Sequence, residues 1–313
     1  MALAAAPIRS DRPSSAAPRD IEWPTWGLIV IIYGGWIGLT LLFERTPLWI
    51  GGPAAAWLGA WQMSLQHELI HGHPTSNRKL SALLGFPPLN LWLPFVRYRD
   101  LHLTHHSDEE KLTYPTHDTE SYYVTSASWH RLSPLGRLAR RAGNTLAGRI
   151  FLNPLQAIPR FLLHEARSVI RGVPGARRIW AWQICGIVAL LYWALGVCGI
   201  PLWAYLAFFV YASFAISSIR SFAEHRAAAR PEHRTAIVEK APLLGLLFLF
   251  NNLHVVHHRW PGMPWYRLPG FYRANRDELI TGNGGLVYRG YADIARRYLF
   301  REHDAPVNEW AGF

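Results

Sequence analysis

From Ile179 to Ile219 the chain runs 41 residues without a charged side chain, and no other feature limits its possible folds so severely. As one helix the run would be about twice as long as the roughly 30 Å hydrocarbon layer of a bilayer. It therefore reads as two membrane spans turned at Gly199-Ile200-Pro201, since lipid leaves backbone polar groups no partners outside a helix or a closed barrel. Two further uncharged stretches, Pro24 to Phe43 and Thr46 to Gln66, flank the short polar turn Glu44-Arg45. The expectation is an all-α integral membrane protein with a four-helix transmembrane bundle, its spans at about 24–43, 46–66, 179–199 and 201–219. Only 17% of residues are charged, against roughly 25% in soluble domains.

The polar segments then fall on one side. The two turns between paired spans carry at most one basic residue, whereas the remaining segments hold nearly all of the 32 lysines and arginines, so they are expected on the cytosolic side. Residues 67–178 and 220–313 form a cytosolic helical cap on this reading, and 24–313 is a single domain. Residues 1–23, rich in Ala, Pro and Ser, are expected to be a disordered cytosolic tail. The setting is a multi-pass protein of a bacterial inner membrane with both termini cytosolic. Leu80 to Val96 is apolar but broken by Pro87, Pro88 and Pro94, which predicts a re-entrant or interfacial segment rather than a span. Ala241 to Leu253 is likewise too short to cross. The net charge of +11 follows from loops that border apolar runs and gives no nucleic-acid footprint. Cys185 and Cys198 both lie in one apolar run, where core packing is expected of them.

Histidine is concentrated where these segments end. His67 and His71 share a helical face, as do His102, His105 and His106, and again His254, His257 and His258. His225 follows the fourth span. Taken alone, His67-Glu68-Leu69-Ile70-His71 reads as the HExxH of a zinc protease, with Glu68 as general base. Nine histidines are too many for one zinc, and two metals with four or five nitrogens each fit the count. Imidazole alone does not select the element. His117, His130, His164, His233 and His303 are scattered and are expected at the surface.

The three sets, HxxxH at 67–71 and HxxHH at 102–106 and 254–258, resemble the histidine boxes of the membrane fatty acid desaturase superfamily over roughly Pro24 to Pro269. The resemblance implies a non-haem di-iron centre on the cytosolic face, two iron ions held by His67, His71, His102, His105, His106, His225, His254, His257 and His258. It also implies O₂-dependent attack on an unactivated C–H bond of a fatty acyl or other long apolar substrate. No catalytic residue is expected beyond these ligands. Each ligand's far ring nitrogen needs an acceptor, and Glu68, Asp108 and Glu224 stand close enough in sequence to provide some. His73, just outside the first box, and Asn251, before the third, are placed to support the centre. Ser221 stands where some members of the superfamily have an asparagine.

Desaturation is the expected outcome. Carotenoid ketolation or hydroxylation of an alkane or lipid is the alternative within the superfamily, and the HExxH protease is a remote one. The chain carries no haem extension, flavin fingerprint or iron–sulfur cysteine set, so electrons are expected from a separate ferredoxin or rubredoxin with its reductase.

Overall fold

The computed structural model describes residues 21–310. The expected N-terminal tail lies outside them except for Ile21, Glu22 and Trp23. Helix α1 (Trp23–Leu42) leads through a single 3₁₀ turn at Phe43–Arg45 into α2 (Leu48–Ile70). After α3 (Arg78–Gly85) and α4 (Phe95–His105) comes a run of cap helices, α5 (Ser126–Arg131), α6 (Pro134–Gly143), α7 (Leu146–Phe151) and α8 (Asn153–Ile170). Helix α9 (Ala176–Leu191) widens into a π-helical stretch at Tyr192–Val197; the return leg is α10 (Leu202–Ala204), a second π stretch at Tyr205–Ala212, and α11 (Ser213–Glu224). The remainder holds α12 (Pro242–Leu247), α13 (His254–Arg259), α14 (Leu268–Ala274), α15 (Arg276–Gly282) and α16 (Tyr291–Tyr298). Strands β1 (Ile237–Val238) and β2 (Val287–Tyr288) form one short parallel pair, Ile237 opposite Val287.

Among the described residues, three segments are long and apolar enough to cross a membrane: Trp23–Arg45, Ala176–Val197 and Leu202–Glu224. The fourth expected span, 46–66, forms the 23-residue helix α2, but the four-span count is not established by composition. The reason lies in its sequence. Gly51, Gly52, Ala55, Ala56, Gly59 and Ala60 make a small, buried face, and Gln62, Ser64, Gln66, His67 and Glu68 follow it, also buried. Small residues let neighbouring backbones approach closely. A methyl group on Gly52 would meet the Phe208 ring at 2.6 Å, and one on Gly59 would collide with Ser213 Oγ and meet Phe209 O at 3.1 Å. Helix α2 is thus the centre of the bundle, packed against α1, α11 and the second π stretch, and its low hydropathy reflects contact with protein on most sides.

The outer helices show the opposite pattern. Val30 and Ile31 on α1 are exposed, as are Trp182, Ile184 and Val188 on α9, which is the surface a helix presents to lipid. Cys198 is buried as expected, but Cys185 is exposed, because it lies on this outward face of α9.

The segment between α3 and α4 is a buried loop. Leu89, Trp92 and Leu93 pack among Trp36, Ala55, Tyr205 and Phe209 of the helices. Irregular backbone at this depth must find partners within the protein, and the helices supply them one by one. Gln66 Nε2 donates to Gly85 O at 2.8 Å, Gln62 Nε2 to Pro87 O at 3.1 Å, Tyr205 Oη to Leu89 O at 2.9 Å and Gln183 Nε2 to Leu91 O at 2.8 Å. Tyr33 Oη donates to Leu84 O. The loop turns back, so α4 returns to the end from which α3 started and His102 lies beside His71.

Replacing Gln183 by leucine is expected to cost about 1–3 kcal/mol, because it leaves the Leu91 carbonyl without a donor in an apolar interior. Trp182→Leu, one residue away on the exposed face, should cost little. Thermal unfolding of both variants in one detergent checks the contrast.

Candidate metal centre

The histidines converge because four chain segments end at the same end of the bundle. Helix α2 delivers His67, with His71 at its C-cap; α4 delivers His102 and His105, with His106 as its C-cap; His225 follows the last residue of α11; and α13 carries His254, His257 and His258. Before α13 the chain reverses through Leu249 and Phe250, both with left-handed backbone (φ 50° and 57°). Such conformations are costly for non-glycine residues and collect at functional sites. Here they bring Asn251 inward ahead of the third box.

Two groups result. His67, His71, His102 and His257 place one nitrogen each within 4.8 Å of one another, and so do His105, His225, His254 and His258. Each group draws on three separate segments, so neither box-by-box spacing nor one helix face would have sorted them. His106 lies between the two, its Nε2 3.0 Å from His257 Nε2 and its ring stacked on His258 at 4.3 Å.

The far ring nitrogens show which atoms are free to bind. His105 Nδ1 faces Asp118 Oδ1 at 2.7 Å and His102 Nδ1 faces Glu120 Oε1 at 2.7 Å. His254 Nδ1 faces Asn251 Oδ1 at 3.0 Å and His225 Nδ1 faces Arg234 O at 3.3 Å. Every partner is an acceptor, which puts the proton of a neutral imidazole on Nδ1 and leaves Nε2 as a bare lone pair. Those lone pairs point at one another: His105 to His225 at 3.2 Å, His225 to His254 at 3.0 Å. No hydrogen bond joins two acceptors, so the arrangement suits a cation held between them. Two imidazoles at right angles on a metal at about 2.0–2.1 Å would have nitrogens about 3 Å apart. The donor set therefore fits a metal ion in each group.

Electrostatics agree with neutral donors. Burial, reinforced by neighbouring histidines, holds His254, His257 and His258 well below the ordinary imidazole range, and it pushes His225 down to about 3. His105 goes the other way. Burial opposes its charge, but Glu120, Asp118 and Glu224 outweigh burial and raise it to about 9, so these carboxylates favour positive charge at this position, whether proton or metal.

Residues expected to support the centre divide in the structure. Glu224 Oε1 lies 3.3 Å from His254 Nδ1 and 3.0 Å from Arg220 Nε. Asn251 also directs Nδ2 at Glu224 Oε1, 3.4 Å away. Glu68 is buried; Oε1 lies 3.9 Å from His67 Nδ1 and Oε2 accepts the Trp265 N–H at 3.2 Å. His73 pairs through Nδ1 with Glu22 Oε1 at 2.8 Å. Asp108 is not brought to the cluster: it caps the 3₁₀ turn at Glu109–Lys111 and pairs with Lys111 at 2.9 Å. Asp118 and Glu120 hold the box-two histidines instead. Sequence reasoning missed both, since they stand 13 and 18 residues beyond the histidines they meet and nothing in local spacing marks that return. Of the remaining histidines, His117, His130 and His164 are exposed and His233 is half-buried. His303 is a correction: it is buried and bonded to Tyr288 Oη at 2.6 Å, because α16 folds the C-terminal strand of chain back onto Phe222.

Outer-sphere partners of this kind typically change metal affinity by about 10–100-fold. Asp118→Asn and Glu120→Gln are each expected to weaken metal retention by about that factor, while Asp108→Asn leaves it unchanged. Metal analysis after dialysis against a graded chelator series measures this.

No curated protein matches the chain. The sequence model described as Fatty acid desaturase matches residues 44–291, a stretch that contains every histidine of both groups, and family and site together describe a desaturase-like, lipid-modifying oxidoreductase. The chain belongs to the fatty acid desaturase family.

Proposed function

We propose that the protein is an O₂-dependent lipid desaturase that introduces a double bond into a fatty acyl chain, with iron in both histidine groups and electrons from a separate donor such as a ferredoxin or rubredoxin with its reductase. The observation that carries this reading is the pair of four-nitrogen groups, the second of them with opposed Nε2 lone pairs. Two bound iron ions would supply the O₂-dependent removal of hydrogen from an unactivated C–H bond.

The chain's own residues do the rest. Asp118, Glu120, Asn251 and the Arg234 carbonyl fix the imidazole tautomers and so aim the nitrogens. Burial keeps His225, His254, His257 and His258 neutral and limits water around the reacting atoms. The apolar helices admit a hydrocarbon chain from the bilayer, and the cap above them faces the cytosol by the positive-inside rule. The protease reading loses its motivation here, because His67 and His71 are completed by His102 and His257 and Glu68 is engaged by the Trp265 backbone.

The test is lipid analysis of a host expressing the chain. New double bonds in acyl chains are expected in air and none without it. An added oxygen atom with unsaturation unchanged would replace desaturation by hydroxylation or ketolation, and unchanged lipids and pigments in air would count against the reading.

A further inference from the structure

Beside the second histidine group the cap contains a cavity of 40 Å³. Four of the residues that line it belong to the metal centre: His225 itself, and Asp118, Glu120 and Glu224, which lie against His105, His102 and His254. Others in its lining reach the surface, since Tyr122 is 37% exposed and the Asp304 side chain 23%. The cavity therefore touches both the centre and the outside of the cap. It is far too small for a lipid, but a water molecule needs only about 10–15 Å³.

Arg149 says what the cavity holds. Helix α7 carries this residue inward, where it lines the cavity and is 4% exposed. Its Nε donates to Gly143 O at 3.3 Å and its guanidinium lies over the Tyr122 ring at 3.2 Å. Among the described residues Nη1 has no hydrogen-bond partner and no carboxylate pairs with the side chain. A buried guanidinium in this state needs acceptors. A bound anion would meet Asp118, Glu120, Glu224 and Asp304 in the same walls and be repelled. Water accepts from Arg149 and donates to the carboxylates, so it satisfies both. Glu120 is open to it already: although this residue backs His102, its side chain is 30% exposed.

The proposed reaction has a use for such water. Forming one double bond consumes one O₂, two electrons from the donor and two protons from the medium, and the two hydrogens taken from the acyl chain complete two molecules of water. Protons cross buried protein along polar side chains and chains of water. We propose that this cavity holds a row of water molecules anchored on Arg149, and that these waters carry protons from the outside of the cap to the group of His105, His225, His254 and His258. The hydrated cavity stands by itself; its use for protons rests on the O₂-dependent reading above.

Pulsed X-ray hydroxyl-radical labelling of the full-length protein in detergent tests the water, because radicals born from buried water oxidise the side chains around it. Phe222 lines the cavity and is 3% exposed, whereas Phe209 and Phe248, 0% and 1% exposed, lie outside its lining. Phe222 is expected to be labelled well above both. Ser221→Val, which puts methyl groups into the cavity, should bring Phe222 down to their level. Ser221→Ala, which loses the same bond to Tyr122 Oη without filling space, should not. Arg149→Met should also lower the labelling and Arg149→Lys should restore most of it. In turnover with donor and O₂, the solvent deuterium isotope effect on lipid oxidation should be larger in Ser221→Val than in Ser221→Ala. Phe222 labelled no more than Phe209, or labelling that survives valine, would overturn the hydrated cavity. Equal isotope effects in the two variants would overturn the proton role. Labelling as expected in a protein that oxidises no lipid would sink the catalytic reading together with the proton role, and leave the water.

Discussion

Alanine at His105 or at His257 is expected to abolish lipid oxidation, by more than about a hundredfold, and to lower the metal content of the purified protein from two ions to about one. The two positions sample the two groups. His105 stands with His225, His254 and His258, and His257 with His67, His71 and His102, so each variant removes one of four nitrogens from a different site. The magnitude follows from comparison: outer-sphere changes alone cost about 10–100-fold, and loss of a donor must exceed that. Elemental analysis per chain, alongside fatty acid profiles of the expressing host, reads both effects. His130→Ala is the control, since His130 is exposed on α5 and should change neither. An intact metal content in His105→Ala would remove the second group from consideration.

Much of this was legible before any coordinates. A run of 41 uncharged residues can only be a turned pair of spans, and i, i+3, i+4 histidines can only share a face, because helix geometry fixes both. Two kinds of information were not legible. Sorting eight of the nine histidines into two groups depends on how α4 and α13 cross, which spacing along one helix does not encode; His102 joins His67 while its neighbour His105 joins His225. The acceptors behind them come from a loop. Asp118 and Glu120 follow a bend through Thr113, whose backbone is left-handed (φ 72°), and Thr113 N in turn donates to Asp118 Oδ2 at 2.8 Å. Asp108 was the nearer carboxylate in sequence, but a 3₁₀ turn turned it outward. The lower hydropathy of α2 has its reason in glutamines that serve the buried loop, and the four-span count stays unestablished.

Arg234→Ala should give the largest loss of stability of any single substitution in the cap, about 3–5 kcal/mol. Arg234 is 1% exposed, and its guanidinium serves four carbonyls: Ala228 O at 2.8 Å, Ala229 O at 3.3 Å, Glu110 O at 2.7 Å and Leu112 O at 3.0 Å. It also lies over the Tyr114 ring at 4.9 Å. It therefore ties the segment after α11, which carries His225, to the segment after α4, which leads to Asp118 and Glu120. Removing it leaves buried acceptors without donors on both sides. Lysine is not a substitute, because a single ammonium does not reproduce a planar fork of donors. Arg234→Lys should thus recover less than half of the loss. Melting temperature and metal retention should fall together in both variants; a drop in melting temperature with metal retention unchanged would show that the staple does not position the cluster.

At the end away from the histidines, the chain is reduced to two tight connections, Phe43–Arg45 with its flanks and Cys198–Pro201. They lie against each other, with Glu44 Oε1 in the space that a side chain at Gly199 would fill. Gly199 has φ 67°, so both the conformation and the close approach call for glycine. On the proposed topology, a water-soluble reductant or regulator is therefore expected to meet the protein at the cap rather than at these two turns.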